Sequence, residues 1–124
     1  MDCDRLTEME SAVVSITLLT TAEGGRRKPA FDSPRFRPSI VVGDAAQREA
    51  IKDADGVIRE HYIDTPFSGN GQVLRLGGTY EVTLQLWNPE ADLSAVVPGA
   101  TFTLREGPKI IGYGHVIERT QTME

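Results

Sequence analysis

Residues 79–87 and 101–105 alternate apolar and polar side chains with a period of two, which is typical of β-strands that bury one face. In the second segment, Phe102 and Leu104 alternate with polar residues, among them Arg105. We therefore predict a strand at each segment. The strand at 101–105 has one apolar face and one polar face.

Four further segments have the composition of β-strands, because they are short, apolar and rich in β-branched residues. They are residues 11–20, 39–43, 57–63 and 110–117. Gly112 and Gly114 interrupt the last segment, and glycine inside a strand marks a bulge, a sharp bend or the close approach of another backbone. About six strands separated by short turns predict an all-β fold, either a small antiparallel barrel or a sandwich.

The segment from Asp44 to Asp55 lacks this alternation. Its alanine, glutamine, arginine, glutamate and lysine residues are good helix formers. Asp44 is a suitable N-cap, and Gly56 is a suitable stop signal. We therefore predict a short helical insertion near residues 44–56, between two strands.

The length of 124 residues fits one domain, to which we assign residues 11–120. Residues 1–10 carry four acids and one base, which predicts an acidic, solvated tail that is compatible with disorder. The net charge of −5 opposes contact with nucleic acid, whose affinity for proteins comes largely from neutralised phosphates. Because no apolar run could span a membrane and no secretory signal is present, we expect a cytoplasmic protein.

Residues 26–37 form the only basic patch in this acidic chain, with five cations against one acid. The cations are Arg26, Arg27, Lys28, Arg35 and Arg37. Two interpretations remain open. The patch is either a solvated loop whose arginines pair with acids of neighbouring loops, or a contact for an anion or RNA.

Two motifs lie at opposite ends of the chain. The first reads Val14-Ser15-Ile16-Thr17-Leu18-Leu19-Thr20, followed by Glu23-Gly24-Gly25-Arg26-x-x-Pro29 and Phe36-Arg37-Pro38. The second reads Arg105-Glu106-Gly107-x-Lys109-x-Ile111-Gly112-x-Gly114-x-Val116. In this order they resemble the opening strand, the following loop and the closing hairpin of the C-terminal domain (domain III) of translation elongation factor Tu. The resemblance implies a six-stranded antiparallel Greek-key β-barrel, here as a stand-alone domain without the GTPase domain.

In that family, domain III helps to hold the T-stem of aminoacyl-tRNA and also contacts protein partners. The resemblance implies that Glu106 and Gly107 lie against the tRNA backbone, and Arg37 matches the arginine of the family's Arg-Pro strand start. Other positions depart from the family. Ser39 replaces a glutamine, Pro108 replaces a glycine whose N–H could bind phosphate, and the insertion replaces a segment with a contacting threonine. Half of the RNA-facing residues are therefore absent.

Few side chains with catalytic or metal-binding chemistry are present. Cys3, the single cysteine, cannot form an internal disulfide, and neither it nor His61 or His115 has a partner at metal-ligand spacing. The chain has no Gly-x-Ser-x-Gly elbow and no Gly-x-x-x-x-Gly-Lys-Ser/Thr phosphate loop. We therefore expect no enzyme activity, metal, cofactor or nucleotide, and a hydrolase that uses His61 or His115 is the weakest alternative.

These observations favour a non-catalytic binding module that contacts another protein, because the scaffold of the family is kept while its RNA face is altered. The alternative is a translation-associated domain that binds tRNA or another RNA. For either partner, the candidate binding residues are Arg26, Arg27, Lys28, Arg37, Glu106 and Gly107.

Overall fold

The computed structural model describes residues 9–58, 60–86 and 92–122. Within these ranges the helical structure is limited to one 3-10 turn at Thr21–Glu23, and the remaining regular elements are strands. The strands are β1 (Met9–Leu18), β2 (Ala30–Asp32), β3 (Ser39–Val42), β4 (Ile63–Asp64), β5 (Gln72–Leu74), β6 (Thr79–Leu86), β7 (Thr101–Glu106) and β8 (Lys109–Thr122). The predicted all-β class is therefore confirmed.

A curled antiparallel sheet forms a half-barrel with the strand order β4-β3-β7-β8-β1-β6, and a separate ribbon pairs β2 with β5. Immediately after β4, the chain reaches the free edge of β6. The Ser68 N–H donates to the Thr83 carbonyl at 3.1 Å, and the Gln85 N–H donates to the Pro66 carbonyl at 2.8 Å. The curvature therefore brings the two ends of the sheet toward each other.

The core lies on the inner face of this sheet. The alternating apolar positions of β6 and β7 are buried there, as the sequence pattern predicts; these are Val82, Leu84, Leu86, Phe102 and Leu104. Strand β1 adds a buried side chain at every second position from Ala12 to Leu18. Burial of apolar surface of this kind is the main favourable contribution to folding.

Gly112 and Gly114 lie where the backbone of β1 leaves no room for a side chain on β8. A Cβ atom on Gly114 would lie 2.0 Å from the Ser15 carbonyl oxygen, and one on Gly112 would lie 2.7 Å from the Thr17 carbonyl oxygen. On the other edge of β8, the pairing with β7 shifts register just after Leu104. The close approach and the irregular pairing that glycine predicts here are therefore both present.

The helix predicted near residues 44–56 is wrong. Asp44 does start a turn, in which its carbonyl accepts from the Gln47 N–H at 3.1 Å, but this single 3-10-type turn ends at once. The chain then folds back in a tight hairpin at residues 52–58. An isolated short helix has an unfavourable nucleus, and a hydrogen bond from Gln47 to Glu60 fixes the non-helical path instead.

The strand predicted over residues 57–63 is also wrong for most of its length. Ile58 makes one isolated bridge with Lys52, and β4 begins at Ile63. Between these points Tyr62 accepts a hydrogen bond from the Arg105 side chain of β7, two strands away from β4 in the sheet. At this position a side-chain contact is present instead of strand pairing.

Some predictions fall at the margins of the description. Strand β1 begins at Met9, so the last two residues that we assigned to the acidic tail belong to a strand. Residues 1–8, Arg59 and Trp87 lie outside the described residues, and the predictions made for them stay predictions.

Candidate binding site

A capped turn after β1 fixes the start of the basic loop. The Thr20 N–H donates to Glu23 Oε1 at 2.8 Å, and the Glu23 N–H donates to Thr20 Oγ1 at 3.2 Å, which forms a capping box. Hydrogen bonds from Thr20 lower the pKa of Glu23. Gly25 follows where a Cβ atom would lie 2.4 Å from the Leu19 carbonyl oxygen. The chain therefore leaves β1 in a defined direction.

Arg26 is held by three contacts. Its guanidinium forms an ion pair with Glu106 at the end of β7, its Nε donates to the Lys28 carbonyl at 3.1 Å, and it lies 5.3 Å from the centroid of the Phe36 ring. This arginine therefore pairs with an acid of another element, the last residue of β7, and not with an acid of a neighbouring loop. The pair joins the basic loop to the β7–β8 hairpin.

Four of the six predicted binding residues surround one cleft of about 270 Å³. They are Arg26, Arg27, Lys28 and Glu106, joined by Lys109, which was not predicted. Gly107 lies in the adjoining turn with a φ of 59°. Arg37 does not line the cleft, and its Nε donates to the Pro34 carbonyl at 3.2 Å. The sequence could have indicated Lys109, because a two-residue turn between Glu106 and Lys109 pairs these two residues across the hairpin.

A larger groove of about 640 Å³ shares two walls with this cleft, Arg26 and Lys28. Its other walls include Pro29, Ala30, Phe31, Ser33, Arg35 and Phe36. Most of these residues are apolar, so the groove combines an apolar floor with a cationic rim. The sequence prediction missed it because residues 29–36 show no strand alternation; two phenylalanines within a basic run were the available signal.

The two aromatic residues of the groove differ in accessibility. Phe36 packs edge-on against Phe67 at 4.8 Å between ring centroids, with Arg26 over its ring. Phe31, in contrast, is 52% exposed and lies opposite Val73, which is 41% exposed, across the β2–β5 ribbon. Directly paired residues of two strands share a face, so Phe31 and Val73 form one apolar ledge beside the groove.

Three cationic side chains near the groove and the cleft have no ion-pair partner among the described residues. The side chains of Arg27, Lys28 and Arg35 form no ion pair and donate no hydrogen bond to another residue in 9–58, 60–86 or 92–122. Arg27 lines the cleft, Arg35 lines the groove, and Lys28 lines both. An anionic group that entered either space would therefore meet positive charge that is not already neutralised by these neighbours.

Asp32 connects two segments beside the groove, strand β2 and the turn at residues 69–71. It is 8% exposed, its Oδ1 accepts from the Gly69 N–H at 3.0 Å, and its carbonyl accepts from the Gly71 N–H at 2.8 Å. Burial raises the pKa of Asp32, against the opposing effect of the Gly69 hydrogen bond. These bonds hold the turn before β5 against β2, and Gly71 in that turn completes the groove.

Two of the three residues on the predicted polar face of β7, Thr103 and Arg105, are buried, whereas Thr101 is exposed. Arg105 is 0% exposed, and its Nη1 and Nη2 donate to the two carboxylate oxygens of Glu60 at 2.8 and 2.9 Å. Nη1 also donates to Tyr62 Oη at 2.9 Å, and Nε donates to Thr103 Oγ1 at 2.8 Å. The hydrogen bond from Arg105 lowers the pKa of Glu60 to about 2. This network fastens Glu60 and Tyr62 onto β7, and the hydrogen bond from Gln47 to Glu60 ties the turn that begins at Asp44 to the same network.

The histidines lie apart from these spaces. His61 Nε2 donates to the Asp92 carbonyl at 3.0 Å, and the exposed His115 is not among the residues that line the groove or the cleft. In the part of the chain that is described, no group of three or more His, Cys, Asp or Glu side chains could hold a metal ion.

No protein-family model matches the chain. The resemblance to domain III of elongation factor Tu therefore depends on the two sequence motifs. Across the described ranges, the structure contains no helix with the length and apolar character that a membrane crossing requires.

Proposed function

We propose that this chain is a non-catalytic binding module whose groove holds a segment of another protein. The observation that carries this proposal is the groove of about 640 Å³ with an apolar floor and a rim that includes Lys28 and Arg35. Binding sites are usually concave and mostly apolar, with a few polar groups that fix orientation.

The walls of the groove are preorganised, which favours binding because little entropy is lost when the partner docks. Arg26 is fixed by Glu106 and Phe36, and Asp32 fixes the turn that carries Gly71. Glu106 and the turn at residues 69–71 are distant in sequence from the residues that they contact, so the groove depends on the tertiary fold.

We further propose that the sheet is a six-stranded Greek-key barrel of the domain III type, in a cytoplasmic protein related to translation. The support is the pair of sequence motifs, the curled six-stranded sheet and the hydrogen bonds from the chain after β4 to β6. An experimental structure that lacked this closure, or a homologue of known and unrelated fold, would overturn this part.

The test compares proteins captured by the wild-type chain with those captured by Phe31→Ser, which removes the exposed ring from the groove. Lys52→Ser, on an exposed residue that does not line the groove, is the matched control. We expect a captured partner to bind wild type and Lys52→Ser with equal affinity and Phe31→Ser about tenfold more weakly, measured by titration calorimetry with the purified partner. Equal affinity for all three chains would reject the groove as the site.

The second candidate function is binding of tRNA or another RNA at the cleft. It is favoured by the convergence of Arg26, Arg27, Lys28 and Lys109 at the β7–β8 hairpin. Titration of aminoacyl-tRNA and deacylated tRNA at low and at physiological salt tests it, because phosphate contacts make affinity fall steeply with salt. Weakening by Arg27→Ala with Lys109→Ala would support this function, and no binding at low salt would exclude it.

A further inference from the structure

We infer that the groove takes an extended acidic peptide segment that carries one bulky apolar residue. This inference rests on the proposed function and specifies the chemistry of the partner. It follows from the apolar ledge, the unpartnered cations and the accessibility of the aromatic rings.

The apolar part of the ligand is set by the ledge of Phe31 and Val73. The two side chains are 52% and 41% exposed and lie opposite each other on one face of the β2–β5 ribbon. A ligand side chain of leucine or phenylalanine size that packed on the ledge would remove part of this apolar surface from water. Binding energy in protein interfaces concentrates on such anchors.

The cations that line the groove, Arg26, Lys28 and Arg35, form its rim and indicate which charge the ligand carries. The side chains of Lys28 and Arg35 have no ion-pair or hydrogen-bond partner within the described ranges, whereas Arg26 is already neutralised by Glu106. The chain as a whole carries −5, so the groove is a basic region on an acidic protein. Complementary charge steers the encounter and selects the partner. Acidic residues on both sides of the apolar anchor therefore fit the rim.

A peptide fits the groove better than single-stranded RNA. Proteins that bind single strands stack successive bases on successive aromatic rings. Here Arg26 covers the Phe36 ring and Phe67 packs against its edge, so Phe31 is the accessible ring of the groove. One open ring suits one apolar anchor, and RNA binding at this position becomes an outcome that the test can reveal.

The test uses fluorescent peptides of about eight residues, a length that suits an extended segment in a groove. One peptide has a central leucine flanked by glutamates; a second replaces the leucine with serine, and a third replaces the glutamates with lysines. Anisotropy titrations measure the affinity of each peptide and of a short oligouridylate. We expect the first peptide to bind at least about tenfold more tightly than either of the others.

Variants of the full chain locate the binding. Lys28→Glu with Arg35→Glu should weaken the acidic peptide about tenfold or more and should favour the lysine peptide instead. Lys52→Glu makes a lysine charge reversal at an exposed residue outside the groove lining and should change neither affinity by more than about twofold. Circular dichroism of each variant establishes that it is folded, so a loss of binding reports the groove.

Several outcomes would overturn the inference. These are equal binding of acidic and lysine peptides, binding that ignores the charge reversal, tighter binding of oligouridylate through Phe31, or a dimer of the wild-type chain that the charge reversal dissociates. If a captured protein still requires Phe31 while no acidic peptide is preferred, the proposed function stands and only this inference fails. If no protein requires Phe31, the proposed function fails as well.

Discussion

At the scale of single residues, Arg105 most changes the picture given by the sequence pattern. It is fully buried, and its two-point contact with Glu60 holds that residue on β7. Transfer of two charges out of water is costly. If one member of the pair is removed, the other stays buried without its counter-charge, which destabilises the fold more than replacement of both by apolar residues would. The stability of this region therefore depends on both members of the pair.

We expect Arg105→Ala to lower the free energy of unfolding by about 3–5 kcal/mol, because it leaves the Glu60 carboxylate buried without its cation. Chemical denaturation followed by circular dichroism measures the change. Lys109→Ala, an exposed change on the same hairpin, is the control and should shift stability by less than about 0.5 kcal/mol. Similar small losses in both variants would show that the ion pair is dispensable.

The same pair predicts acid sensitivity. The pKa of Glu60 falls from 4.5 to about 2 in the folded state, so its contribution is complete above 4.5 and is lost as pH falls toward 2. We expect a loss of roughly 2–3 kcal/mol across this range, measured by urea denaturation at each pH. Asp32, whose pKa is raised, acts in the opposite direction. The difference between wild type and Glu60→Gln isolates Glu60, and a difference independent of pH would contradict its assignment.

At the scale of elements, strands were predictable where the sequence pattern of apolar and polar residues matches the buried and exposed faces of the strand. Strands β1, β6, β7 and β8 all follow from alternation or β-branched composition. The path of residues 44–58 and 60–62 was not predictable, because a side chain of β7 fixes it. The structure brings four of the six candidate residues, from the basic loop and the hairpin, to one cleft, and their role in binding stays a prediction. The groove was not predicted, because residues 29–36 show no strand alternation and Gly71, which also lines the groove, comes from a turn far along the chain.

The contact of β8 with β1 gives a sharp prediction. In Gly114→Ala the new methyl group would overlap the Ser15 carbonyl oxygen, 2.0 Å away, and backbone cannot move aside as a flexible side chain can. We expect a loss of about 3 kcal/mol or more in the free energy of unfolding. His115→Ala, at the exposed neighbouring position, should be nearly neutral in the same thermal and chemical melts. Tolerance of Gly114→Ala would mean that the two strands lie further apart.

At the scale of the whole molecule, β1 and β8 are each paired along both edges, whereas residues 43–58 and 60–62 are attached largely through side chains. Local opening is easiest where few backbone bonds hold a segment. The molecule therefore consists of a strongly paired central sheet and a second part, residues 43–58 and 60–62, that can open separately. We call this second part the cover.

Native-state hydrogen exchange should display this division. We expect the slowest amide exchange in β1 and β8 and faster exchange in the cover. Replacement of Glu60 by Gln should speed exchange in the cover more than in the central strands, since it weakens the attachment without deleting a strand. Uniform acceleration over all elements would indicate that the cover and the sheet unfold as one unit.

The shared walls of the groove and the cleft have a consequence for regulation. Because Arg26 and Lys28 line both spaces, a ligand in one would alter the charge and the side-chain positions met by a ligand in the other. Such coupling is reciprocal by thermodynamic necessity. A protein segment and a polyanion would then antagonise each other on this small chain, each weakening the other by the same factor.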